Sequence, residues 1–274
     1  MAQATLKNLS SRVLLAVLDG YGINPNNVKN AVRDADSPNL DRLFRDYPHT
    51  EIEAGGTKVG LPKGVTGNSE VGHMNLGAGK PGRQDLVRIN EAVENHTFGE
   101  REKFQELIAK ARANSGRVHL MGLLSDGGVH SHIEHIKEII RLLSKEKDLE
   151  IFFHAFMDGR DTAPDNGGQY LKEMEEVPGF TLASIQGRSI AMDRDRRWEK
   201  IEKAYKTFLG QGASTDKTPI EYLKSEYNEQ RFDEYIEPVL FDKKAAMGDG
   251  DVVFFMNFRP DRAVQMTDRK STRL

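Results

Sequence analysis

Cysteine is absent from the 274 residues. With no thiol there is no disulfide framework, zinc-thiolate site, iron–sulfur cluster or cysteine nucleophile, so any metal must be held by oxygen and imidazole ligands. Excess charge is also missing: 39 Lys plus Arg stand against 42 Asp plus Glu, a formal net charge of −3. That balance gives no field for non-specific attraction to nucleic acid or membrane, and any basic site must be a local cluster. No apolar run approaches the ~20 residues of a membrane span. The opening MAQATLKNLS lacks the apolar stretch and cleavage site of a signal peptide. A soluble, cytoplasmic protein without nucleic-acid or membrane partners is expected. Hydrophobic residues make up 38%, below the usual ~45–50%, which is polar for a compact domain.

What is present alternates. Continuous apolar runs at Val13–Leu18, Val118–Leu124, Ile151–Phe156, Phe180–Ile185 and Val252–Met256 read as buried parallel strands, each leading into a Gly- or Asp-bearing loop. Between them, i, i+3, i+4 patterns run through Phe104, Leu107, Ile108 and Ala111, through Ile133, Ile136, Ile140 and Leu143, and through Trp198, Ile201, Tyr205 and Phe208. Strand alternating with helix predicts the α/β class, a mostly parallel sheet covered on both faces. Residues 55–83 are rich in Gly and lack an apolar period, which marks a functional loop or a boundary. Residues 211–248 are polar and weakly periodic and read as an excursion on the sheet edge.

Chemistry-bearing residues gather after the strands. Asp19 ends VLLAVLDG and could ligate a hard divalent cation, with Gly20 and Gly22 letting a ligand approach the backbone. A turn or capping aspartate is about as common a role. In TGNSEVGHMNLGAG, Ser69 stands at a loop-to-helix junction, where backbone N–H groups and the positive helix end would stabilise a phosphoryl group on its hydroxyl. N-capping is the commoner role of such a serine, but the glycines around it favour a nucleophile. In LLSDGGVHSHIEHI, His130 follows two glycines and could donate to a phosphate or carboxylate. His132 and His135 belong to no H-x-x-x-H pair and read as solvent-facing. FMDGRDTAP sets Arg160, suited to an anion, beside Asp161, suited to accept a hydroxyl proton; a surface pair of little energetic value is the alternative. QGRSIAMDRDRRW supplies Arg188, Arg194, Arg196 and Arg197, and NFRPDRA adds Arg259 and Arg262. Two arginine clusters near strand ends imply a small, highly anionic ligand bound by guanidinium forks. Arg196 and Arg197, beside Trp198, are assigned to a solvated helix face.

In order, VLDGYGI, GNSEVGHMNLGAG, SDGGVHSH, FMDGRDT, GRSIAMDRDRRW and NFRPDRA resemble the cofactor-independent phosphoglycerate mutase family of the alkaline phosphatase superfamily, from about Arg12 to Thr267. The resemblance implies a phosphatase-like metal-binding domain interrupted by an inserted transferase domain. Residues 1–83 would be the first piece of the former, 84–267 the incomplete insert and 268–274 an atypical tail. It implies interconversion of 3-phosphoglycerate and 2-phosphoglycerate in glycolysis and gluconeogenesis, through a phosphoserine at Ser69. Two manganese ions are implied, with Asp19 and Ser69 among their ligands, and Asp161 would be the acid/base on the glycerate hydroxyls. His130, Arg160, Asp161, Arg188, Arg194, Arg259 and Arg262 would bind the substrate, and a monomer is implied. The family's other metal ligands, an Asp-x-x-x-His and an Asp-His pair among them, would follow Thr267. The chain is therefore read as a truncated or frameshifted copy with an incomplete metal site and an exposed apolar face in residues 1–83. It would be inactive alone; a non-catalytic phosphoglycerate-binding fragment is the alternative function. A hydrolytic phosphatase would have no use for GGVHSH and DGRD.

Overall fold

The computed structural model describes residues 14–26 and 28–268. The chain divides into two compact units, Met1–Gln84 and Asp85–Leu274.

In the first unit the helices are α1 (Ala31–Asp34), α2 (Pro38–Asp46) and α3 (Ser69–Ala78). The Gly-rich stretch read as a functional loop or boundary contains the helix expected from about Ser69, begun by Asn68, whose side chain accepts from the Val71 N–H at 3.1 Å. The buried apolar cluster here is small: Val59, Leu61 and Val71, with Val65 packed against them. The first expected strand needs correction. Val13 lies outside the described residues, and Leu14–Leu18 forms no strand, with Leu14 90% and Leu15 76% exposed. A parallel strand satisfies its backbone only between neighbours, and all five strands among the described residues lie in the second unit.

That unit is a five-stranded sheet of β1 (Arg117–Leu124), β2 (Glu150–Met157), β3 (Thr181–Gly187), β4 (Val239–Leu240) and β5 (Val252–Phe255), in the order β4-β3-β2-β1-β5. The four strands expected here pair in parallel. Short β4, inside the stretch read as an edge excursion, pairs antiparallel with β3. Side chains alternate across a pleated strand, and both faces are apolar. Leu120, Leu124, Phe153 and Ile185 join the larger cluster, with Phe104 and Ile108 of α5 (Glu102–Ala113) and Ile136, Ile140 and Leu143 of α6 (Ile133–Leu143). The same cluster holds Leu171 and Met174 of α7 (Gly167–Glu175) and Leu223 of α10 (Pro219–Asn228). Met121, Leu123 and Phe156 meet Ile190 of α8 (Arg188–Ala191), and Ile201 and Phe208 of α9 (Trp198–Phe208), in a second cluster. Burial on both faces is why these strands read as unbroken apolar runs.

A polar thread crosses the sheet. Asp251 Oδ2 lies 3.0 Å from His119 Nε2, His119 Nδ1 lies 3.0 Å from His154 Nε2, and His154 Nδ1 lies 2.8 Å from Ser184 Oγ. An ionised carboxylate only accepts, so His119 carries its proton on Nε2. Neutral His119 then accepts at Nδ1 from His154 Nε2–H, and His154 accepts at Nδ1 from the Ser184 hydroxyl. Both rings and the serine are wholly buried.

Candidate active site

In the first unit, Asp19 sits in a turn closed by the Tyr21 N–H to the Leu18 carbonyl at 3.1 Å. Ser69 is the first residue of α3, and its Oγ reaches both carboxylate oxygens of Asp19, at 2.9 and 2.8 Å. The two residues singled out in sequence, fifty positions apart, therefore face each other. Capping of α3 belongs to Asn68, so Ser69 is not the N-cap. Both residues are exposed.

In the second unit the parallel strands all point the same way, so their following loops collect at one edge of the sheet. After β1 comes His130, 4% exposed; after β2, Asp158, Arg160 and Asp161; after β3, Arg188; after β5, Arg259, Asp261 and Arg262. Arg188 Nη1 donates to Asp158 Oδ1 at 2.6 Å and also to Asp161 Oδ2. Arg160 and Asp161 are not paired with each other as the surface-pair alternative required. Arg160 Nη1 lies 3.7 Å from Glu234 Oε1, while Asp161 faces Arg188. Asp158 organises the loop: its Oδ1 accepts the backbone N–H of Arg160 at 3.2 Å and of Asp161 at 3.0 Å. Burial opposes the Asp158 charge, but the Asp161 N–H and the Arg188 guanidinium outweigh it and hold the carboxyl below its ordinary range.

Asp261 joins the arginine clusters. Its Oδ1 lies 3.7 Å from both His130 Nδ1 and Arg259 Nε, and its Oδ2 lies 3.8 Å from Arg194 Nη1 and 3.7 Å from Arg262 Nε. These are ion-pair distances beyond hydrogen-bond reach. His130 Nδ1, Asp261 Oδ1 and Arg262 Nε are buried without a hydrogen-bond partner. Burial, then nearby Arg194 and Arg188, holds the Arg262 guanidinium below the ordinary arginine range, a mark of concentrated positive charge.

Two further residues depart from expectation. His135 is buried, not solvent-facing, with Nε2 2.6 Å from Asn90 Oδ1 on α4 (Asp85–Glu94). Half-buried His132 caps α6 by accepting the Glu134 N–H at 3.2 Å. Arg196 and Arg197 are exposed as expected, but they precede α9, with Arg197 at its N-cap position, and lie on no helix face. Sequence reasoning overlooked Asp158, Asp261 and Asp193, the last of which accepts the N–H groups of Asp195 and Arg197, each at 3.0 Å, and so shapes the loop carrying Arg194. Each lies one or two residues from a chosen arginine; the signal was an acidic residue inside a basic motif.

The buried histidines make stability depend on pH. Burial, then Arg188 and Arg259, pushes His130 down to about 4, and burial, then His132, puts His135 at about 4. Burial also lowers His119, and His154 further still. Their folded-state pKa values lie below the unfolded value near 6.5. Their stabilisation is therefore complete above about pH 6.5 and is lost as pH falls from there towards 4. His130 and His135 account for about 3 kcal/mol each over that window. Asp233 runs the other way: burial raises its carboxyl to about 6, so its protonation below pH 6 returns about 3 kcal/mol. Urea midpoints measured from pH 8 to 4.5 should fall below about pH 6.5, and His135→Gln should flatten the decline. A wild-type profile level between pH 7 and 5 would contradict this account.

The chain is similar to known proteins in sequence and in fold. Residues 11–148 match the model of the Metalloenzyme superfamily, and residues 89–271 match the model described as BPG-independent PGAM N-terminus. The 2,3-bisphosphoglycerate-independent phosphoglycerate mutase of Clostridium perfringens is 45% identical over 264 residues, covering 93% of this chain and 51% of the relative. That of Listeria monocytogenes is 42% identical over 266 residues, covering 94% and 52%. A crystal structure of Leishmania mexicana phosphoglycerate mutase at low cobalt concentration superposes with a TM-score of 0.79 at 32% identity, covering 91% of this chain and 49% of that one. The fold and these matches define an α/β protein of the metalloenzyme superfamily. Within it, the chain belongs to the BPG-independent phosphoglycerate mutase family, and it spans about half the length of the curated relatives it matches.

Proposed function

We propose that this chain carries the phosphoglycerate-binding machinery of a cofactor-independent phosphoglycerate mutase and binds phosphoglycerate through its second unit. The observation that supports this most is the convergence of Arg188, Arg194, Arg259 and Arg262 with neutral His130 at one sheet edge, where several buried polar atoms have no hydrogen-bond partner. Buried polar groups demand partners; a phosphate and a carboxylate on a three-carbon ligand would supply acceptors for the Arg262 Nε–H and a His130 ring N–H, and its hydroxyl a donor for Asp261 Oδ1. Four guanidiniums face Asp158, Asp161 and Asp261, leaving a net positive charge; Arg160 and Glu234 cancel each other. On this reading Arg188, Arg194, Arg259 and Arg262 hold the anionic groups, while His130 donates one N–H as a neutral imidazole. Arg160 adds a solvent-facing contact. Asp161, half-buried on its loop, takes and returns the proton of a glycerate hydroxyl. Ser69 is the hydroxyl that would accept the phosphoryl group, as the family resemblance implies.

The family's two divalent ions fit the first unit in kind but not in number. Asp19 and Ser69 offer hard oxygen donors, yet among the described residues no group of three or more His, Cys, Asp or Glu side chains lies together. Two donors supply too few ligands for two such ions, and the binding reading is favoured over turnover by the chain alone. Isothermal titration with 3-phosphoglycerate is expected to show binding that Arg259→Ala weakens by roughly tenfold or more. An enolase-coupled assay with manganese should stay at background. Absence of heat at millimolar ligand would end the binding reading, and turnover lost in Ser69→Ala would restore the catalytic one.

A further inference from the structure

Residues 229–237 were passed over in sequence as part of a polar excursion, yet they lie behind both loops of the anion site. Asp233 is wholly buried. Its Oδ2 accepts the Gly167 N–H at 2.7 Å, its Oδ1 accepts the Tyr227 hydroxyl, and its own N–H donates to the Pro164 carbonyl at 2.9 Å. These bonds fasten the turn Asp233–Tyr235 to the far end of the loop that carries Arg160 and Asp161. Three residues on, the Ile236 carbonyl accepts the Gly187 N–H at 2.7 Å, immediately before Arg188. Glu234 adds its carboxylate opposite Arg160.

The approach is too close for side chains. A Cβ on Gly187 would lie 2.3 Å from the Glu234 carbonyl oxygen. On Gly159, at φ 66°, it would lie 2.8 Å from the Glu234 nitrogen and 2.9 Å from the Asp233 Cβ. One short turn is thus pressed on the backbone of the β2 loop and of the β3 loop together. Asp161 and Arg188 ride on those two loops, and their separation follows from where the turn holds each.

We propose that Asp233–Ile236 is the positioning element of the anion site and that Asp233 is its positioning residue, setting Arg188 against Asp161 before ligand arrives. The inference rests on the binding reading above and deepens it. It acts through geometry: Asp233 needs only to accept from Gly167 and to meet the Tyr227 hydroxyl. An asparagine can do both, its amide oxygen accepting the N–H and its NH2 donating to the phenol oxygen. An alanine can do neither.

The test uses the full chain at 25 °C, with near-UV circular dichroism to establish that each variant is folded. Asp233→Ala is expected to bind 3-phosphoglycerate roughly tenfold more weakly through lost preorganisation, and Asp233→Asn to recover to within about threefold of wild type. Amide hydrogen exchange supplies a readout that needs no ligand. In Asp233→Ala the Gly187 N–H should exchange about tenfold faster, although its acceptor Ile236 is untouched, while Leu120 and Leu123 in β1 keep their protection. If Asp233→Ala does not fold, Tyr227→Phe, which removes one bond alone, should raise Gly187 exchange by a smaller factor. Unchanged Gly187 exchange in the folded variant, or an Asn variant as impaired as the Ala variant, overturns the proposal. Should wild type give no heat with 3-phosphoglycerate, the binding reading fails and the exchange result alone decides whether the turn positions these loops.

Discussion

Replacing Arg188 with alanine is expected to destabilise the second unit by about 3–5 kcal/mol. The guanidinium is 4% exposed and bridges Asp158, whose side chain is fully buried, to Asp161. Burial works against its charge, but the hydrogen bond to Asp161 and the proximity of Asp158 raise its pKa above the ordinary arginine value. Truncation would leave the Asp158 charge sealed away from water with two backbone N–H groups and the Ser125 hydroxyl as its remaining partners. At about 2–4 °C per kcal/mol for a unit of this size, calorimetry should show the melting point fall by roughly 10 °C. Arg188→Lys should recover only part of the loss, because Nη1 alone donates to both carboxylates and the lysine ammonium, one bond shorter, does not reach its place. The double variant Arg188→Ala with Asp158→Asn should recover much of the loss, because the orphaned charge goes with it. A melting point within 2 °C of wild type in Arg188→Ala would show that the bridge is not what holds these loops.

Asp251→Ala is the second large effect. Asp251 Oδ2 accepts from Arg117 Nη1 at 2.9 Å, from the Gly248 N–H at 2.8 Å and from His119 Nε2, with the carboxylate side chain 3% exposed. Alanine leaves three donors without that acceptor. Each buried orphan costs about 1–3 kcal/mol. Arg117 is partly relieved by solvent and by its bond to the Lys244 carbonyl, and the exposed Gly248 N–H by water, so a total of about 2–4 kcal/mol in urea denaturation is expected. Asparagine should recover part of the loss, because its amide oxygen can take the place of Oδ2, which accepts from all three groups, and keep the acceptor at the end of the His119–His154–Ser184 sequence; what it lacks is the charge that pairs with Arg117. Affinity for 3-phosphoglycerate below the melting transition should hold, because Asp251 precedes β5 whereas Arg259 and Arg262 follow it. Loss of binding in a folded Asp251→Ala protein would refute that separation.

Much of the architecture follows from local pattern, and particular residues mark where pattern stops. Leu120 and Met121 are both apolar because the sheet is covered on both sides, and that doubled burial made the strand visible in sequence. The same pattern over Leu14–Leu18 misled, because an apolar run states a preference for burial and supplies no neighbour to pair with. Asp19 and Ser69 could each be nominated from their glycine-flanked settings, and their contact required the chain to bring the Leu18–Tyr21 turn to the start of α3. His135 looked solvent-facing because helical spacing describes a face of α6 and is silent on the fact that Asn90 of α4 covers it. The arginines announced an anion, whereas Asp158, Asp233 and Asp261 gave no such signal. Their importance lies in which backbone groups and cations surround them, a property of tertiary structure at which the basic motifs around Asp158 and Asp261 only hint and of which Asp233 has no sign.

The order β4-β3-β2-β1-β5 sets the last strand of the sheet in sequence beside its first, with β1 and β5 paired across more than a hundred intervening residues. Closing so long a loop carries the largest chain-entropy cost in the sheet, and it is repaid by only four residue pairs. The central strands can therefore find their register while Arg259, Asp261 and Arg262 are still far from His130. On the binding reading, an anion held by these residues together would favour the paired state of β1 and β5 and so act as a clasp on the longest closure in the sheet.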